Sequence, residues 1–146
     1  MTDRIEAGQQ LLDTIKAKLP ELEALLAKLD TQWYGDDHVY RFFHTSFKVF
    51  RAQESIHEIV DALQELAPER SLNRMFAAII EEGTSGSFSM ERTNPNWEKE
   101  TRPIVEAYFH AQHMLRMVVK AAKEIDQQET IITTGWGTVL HLYGIR

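Results

Sequence analysis

Glu54, His57 and Asp61 in one stretch, and Glu106, His110 and His113 in another, are the side chains whose types and spacing could do chemistry. Glu54-Ser55-Ile56-His57 is a Glu-x-x-His pair. On a helix, a spacing of three puts the carboxylate and the imidazole on one face. Glu106, His110 and His113 stand at i, i+4 and i+7, and at about 100° per residue they too share a face. Carboxylate with imidazole suits iron, manganese or zinc. If the two stretches meet, the set becomes a ligand sphere for a divalent metal.

The Glu54-x-x-His57 pair resembles in part the ferritin-like di-iron proteins, which carry such a pair on each of two helices and a glutamate on each of two more. The resemblance covers a few residues and identifies no family. His110 follows Glu106 by four residues rather than three, and the first part of the chain offers no glutamate at an apolar position. The plainer reading, a solvated or partner-facing helix surface, is favoured for both groups.

The elements that must position these residues are helical. In residues 3–30, Ile5, Leu12, Ile15, Leu19, Leu22, Leu26 and Leu29 recur at helical spacing. Pro20 either kinks this helix or divides it in two. A second helix is predicted over residues 37–66, ending before Pro68. Its aromatic wall, Phe43, Phe47 and Phe50, continues into Glu54, His57 and Asp61. Ile56, Ile59, Val60, Leu63 and Leu66 turn to the opposite side. A short third helix is predicted over 71–82, capped by Ser71, with Leu72, Met75, Phe76, Ile79 and Ile80 on its dry side. Residues 83–96 read as a loop.

Asn94-Pro95 or Thr101-Arg102-Pro103 opens the next helix, since proline is tolerated in a first turn. It runs to about residue 128 on a stripe of Ile104, Tyr108, Ala111, Leu115, Val118, Ala122 and Ile125. After a β-branched link at 130–134, residues 135–143 form a short helix docked by Trp136, Leu140 and Tyr143. The expected architecture is all-α: one domain over 1–146, a bundle of three long helices and two short ones.

Composition narrows the chemistry. The chain has 146 residues, 43% of them hydrophobic, and no cysteine. Disulfides, iron–sulfur clusters and thiol nucleophiles are thereby excluded. A formal charge of -6 disfavours general binding to phosphate backbones. The first residues are too charged for a secretory signal. The longest apolar run, 75–80, is far short of the ~20 residues that span a bilayer. These features lead to the expectation of a cytoplasmic protein with no nucleic-acid or membrane partner.

Other groups have their own plain readings. Arg102, Arg116, Lys120 and Lys123 form a basic stripe that could hold an anion, but more often such a stripe faces acids such as Glu21 and Glu23 on a neighbouring helix. The Gly- and Ser-rich stretch 83–89 lacks the phosphate-loop and nucleophile-elbow patterns. His38 reads as a helix-start residue, His44 as a hydrogen-bonded neighbour of the aromatic face and His141 as packed or exposed. Trp33, Tyr34, Trp97 and Trp136 sit at joints, where rings cover the ends of a core. Phe42, Phe43, Phe47 and Phe50 with Met114 and Met117 could line an apolar pocket or a dimer interface.

Three functions follow in order of preference. The first is a non-enzymatic helical protein that self-associates or binds a protein partner, because a helix apolar on two faces must be covered on both. The second is a metal-binding bundle using Glu54, His57, Asp61, Glu106, His110 and His113. The third is a binder of a small apolar ligand.

Overall fold

The computed structural model describes residues 2–32, 46–70, 72–85, 97–128 and 134–145. Helix α1 spans Thr2–Gln32, α2 Ser46–Leu66, α3 Arg74–Ser85, α4 Trp97–Gln128 and α5 Thr134–Leu142. No strand occurs among the described residues. The predicted aromatic wall, with Phe42, Trp33, Tyr34, His38 and His44, lies outside the residues or side chains described, as does the Trp97 ring.

One helix differs from expectation, α3, and for α1 and α4 the structure selects between the alternatives left open. Helix α1 runs unbroken through Pro20. The proline ring is exposed, so the backbone bond it costs is lost on the solvent side. Helix α4 begins at Trp97 and carries Pro103 inside it, which leaves Asn94-Pro95 as the nearer opening signal. Helix α3 begins at Arg74 rather than 71 and extends through Ser85, into the predicted loop. Its cap is Asn73: the Asn73 Oδ1 accepts from the Met75 amide at 2.8 Å. The Asn73 carbonyl accepts from the Ala77 amide at 2.9 Å. That is the geometry of an N-cap, which satisfies a donor the first turn would leave orphaned.

Ion pairs and packing contacts set the directions. Lys18 pairs with Glu65 and Lys28 with Glu58, both at 3.1 Å, so α1 and α2 are antiparallel. Asp30 meets Arg116 and Glu23 meets Lys123, so α1 and α4 are antiparallel as well. Phe76 lies against His110 while Gly83 lies against Ala107 and Pro103, which runs α3 opposite to α4. Helices α2 and α4 are therefore parallel. They form the most extensive pairing in the molecule, and α1 and α3 each pack against both. Helix α5 closes one end: Leu140 touches Gly8 of α1, and the Leu142 carbonyl accepts from the Asn73 amide at 2.7 Å.

Helix α4 is the core's axis because it touches all four other helices. Every residue of its predicted stripe is buried. So are Val105, Ala107, Met114, Val119 and Ala121 to either side. Helix α2 adds Ile56, Ile59, Leu63 and Leu66, and α1 adds Leu12, Ile15, Leu22 and Leu29. Each such side chain contributes roughly 1.5–3 kcal/mol on burial. The exposed ion pairs contribute about 0–1 kcal/mol each, so they fix register while the apolar faces hold the bundle together.

Candidate functional site

The six residues with ligand chemistry sit on α2 and α4, the helices with the most extensive contact, yet on their outer faces. Helix α2 turns Ile56, Ile59 and Leu63 inward, and Glu54, His57 and Asp61 on the other side are exposed. The Glu54 carboxylate lies 3.7 Å from the Arg51 guanidinium one turn earlier. On α4, Glu106 and His113 are exposed and His110 is half-buried. Among the described residues, no group of three or more His, Asp or Glu side chains comes together to hold a metal ion. The helices that carry the two sets pack together, but the two sets do not share a centre.

His110 differs from the other five. Its ring lies against the Phe76 ring, centroids 5.4 Å apart and tilted by 37°, where α3 packs on α4. Burial lowers its pKa from the usual histidine value, and the nearby His113 acts in the same direction. Partial desolvation disfavours the cation, and a second imidazole one turn along repels it. The folded chain thus favours a neutral imidazole at this position.

The basic stripe of α4 faces acids. Lys123 reaches Glu23 at 2.9 Å. Arg116 reaches Asp30 at 2.8 Å, and Lys120 lies 3.9 Å from Glu124 on its own helix. An anion would have to displace carboxylates already in place.

A polar cluster around Asp30 is the feature that sequence reasoning missed. Its Oδ1 accepts from Gln112 Nε2 at 2.9 Å and from Arg116 Nη2 at 2.8 Å. Gln112 is buried, so this bond satisfies an amide that would otherwise be costly inside the protein. Asp30 lies in the last turn of α1, where the helix dipole disfavours a carboxylate and no basic residue of that turn offsets it. Arg116 supplies the compensating charge from α4. Tyr108 belongs to the same neighbourhood. Its pKa is raised, first by burial and then by the charge of Asp30, against an opposing effect of Arg116. The arrangement clamps the end of α1 to the middle of α4. The available signal was Gln112 itself, an amide one position from the Ala111 stripe that required a partner.

The other buried tyrosine is Tyr143, which follows α5 and donates to the Leu63 carbonyl of α2 at 2.5 Å. Burial raises its pKa. A neutral phenol tying two elements together has a structural role. His141, two residues earlier, is exposed.

A surface cavity of about 190 Å³ opens where the first half of α1, the end of α2 and Ile145 meet. It lies away from the six candidate ligands. No helix of the described residues is long and apolar enough to cross a membrane. The chain matches no family model, no curated protein and no solved structure.

Proposed function

We propose that this chain is a non-enzymatic helical module that acts by contact with another protein chain, in the first place a second copy of itself. Ile5 and Met75 carry the reading: 74% and 73% of their surfaces are exposed. Both occupy positions where the helical spacing of apolar residues calls for cover. Both also lie at the end of the bundle that α5 closes, since Gly8 touches Leu140 and Asn73 bonds to Leu142. A single exposed aliphatic side chain is ordinary. Two large ones at one end, with the half-buried Leu140 at that same end, support a docking role. The exposure of Glu54, His57, Asp61, Glu106 and His113 leaves the metal-binding alternative without geometric support.

Light scattering coupled to gel filtration tests this reading over a range of protein concentrations. The expected mass exceeds the 16.9 kDa of one chain at high concentration. Substituting Ile5→Glu and Met75→Glu together should return it to that value. A monomer at every concentration, unaffected by the double substitution, would overturn self-association.

A further inference from the structure

We propose that Met75 is an oxidation site: a peroxide that converts it to the sulfoxide switches off the self-association described above, on which this inference rests. Cysteine and methionine are the side chains whose sulfur a peroxide oxidises. The chain has no cysteine, so its five methionines carry all of its sulfur. Among the described residues these side chains are sharply sorted. Met75 is 73% exposed, Met114 is buried and Met117 is half-buried. Susceptibility follows exposure, so Met75 reacts first of the three.

The backbone beneath Met75 is held on both sides. The Met75 amide donates to Asn73 Oδ1, and the Asn73 amide donates to the Leu142 carbonyl. The next residue, Phe76, is buried with its ring against His110. The Met75 side chain therefore leaves a fixed first turn of α3 toward solvent, and an oxygen added to it changes the surface without entering the core. In that step the peroxide O–O bond breaks and an S–O bond forms. The sulfur loses two electrons, and hydrogen peroxide leaves as water. The product is a polar group at a contact that self-association needs to be apolar. Covering it without a hydrogen-bond partner weakens the pairing about tenfold or more. The effect is reciprocal: a covered Met75 is shielded from the oxidant, and an oxidised one resists being covered.

The test treats the full chain with hydrogen peroxide at a low and a high protein concentration and reads one added oxygen at each methionine by peptide mass spectrometry. Met75 should react faster than Met114 and Met117, and more slowly in the concentrated, associated sample than in the dilute one. Light scattering of the oxidised chain should show association weakened about tenfold or more, with the helical circular dichroism unchanged. Met75→Leu, which keeps an apolar side chain without the sulfur, should associate like the parent chain and still associate after the same treatment. An oxidised parent chain that associates as well as the untreated one would overturn the proposal and leave self-association standing. So would a loss of helix on oxidation, or a Met75→Leu chain that peroxide dissociates as it does the parent. A chain that is single at every concentration before any peroxide is added would overturn self-association and its redox control together.

Discussion

A Cβ placed on Gly83 would overlap the Cβ of Ala107, and it would also come within 3.5 Å of the Pro103 carbonyl oxygen and 3.6 Å of Ile56 Cδ1. Helices α3 and α4 therefore cross at a point that admits no side chain on one of them. Gly83 is in a helix, where glycine is about 1 kcal/mol worse than alanine by intrinsic preference, so its presence is explained by the contact.

Replacing Gly83 with alanine should destabilise the fold. Forcing a methyl into a packed interface costs about 1–3 kcal/mol, more than the gain in helix propensity. Thermal unfolding followed by circular dichroism should show a loss of several degrees. Gly137→Ala in α5 is the control, because nothing lies within 4 Å of its Cβ position. That substitution should raise stability by about 0.4–1 kcal/mol.

Gly144 has φ +68°. Its amide donates to the His141 carbonyl at 3.0 Å, and the Ile145 amide donates to the Leu140 carbonyl at 2.9 Å. These paired bonds form a Schellman motif, which ends α5 and turns the chain so that Ile145 is buried. Gly144→Ala should cost about 1–2 kcal/mol, since a left-handed conformation strains any residue with a Cβ. A shift in the urea midpoint with an unchanged slope would report it.

Asp30→Ala should destabilise more than Lys28→Ala. The first leaves the Gln112 amide buried without its acceptor, at a cost of about 1–3 kcal/mol. The second removes one solvent-exposed pair with Glu58 and should change stability by less than about 1 kcal/mol. Parallel urea titrations of the two variants decide the order. Equal losses would remove the distinction drawn between the two contacts.

The lowered pKa of His110 gives stability a pH dependence of definite sign. The unfolded chain takes up a proton near the ordinary value of 6.5, before the folded chain does. Stability from this group is therefore intact above about pH 6.5 and declines as the solution is made more acid, levelling off once the folded-state pKa is passed. His110→Phe should flatten this part of the profile, measured as urea midpoints between about pH 5 and 8. An acid slope unchanged by that substitution would assign it to other groups.

Helical periodicity revealed much of the fold. The seven-residue stripe of α4, from Ile104 to Ile125, is buried throughout, because a helix surrounded by neighbours must keep its apolar face in phase. The same reasoning misplaced Ile5 and Met75. A stripe gives the direction of a face but not where the neighbouring helix stops, and both residues are exposed. Ser71 was the expected cap of α3, whereas Asn73 serves; two good capping residues two positions apart cannot be ranked without the packing of Leu72. The candidate site was the least legible part. A helical wheel groups Glu54 with His57, and Glu106 with His113, but it cannot say that both groups point outward. Nor does local spacing connect Asp30 to Arg116, which only the packing of α1 on α4 brings together.

Because α2 and α4 run parallel, no tight turn can join them, and α3 must serve as the return stroke between them. On the ribosome, Ile15, Leu22, Ile56, Ile59 and Leu63 therefore emerge well before the helix that covers them. A nascent chain halted ahead of Ile104 would be a sticky intermediate and a client for chaperones, not a smaller folded protein.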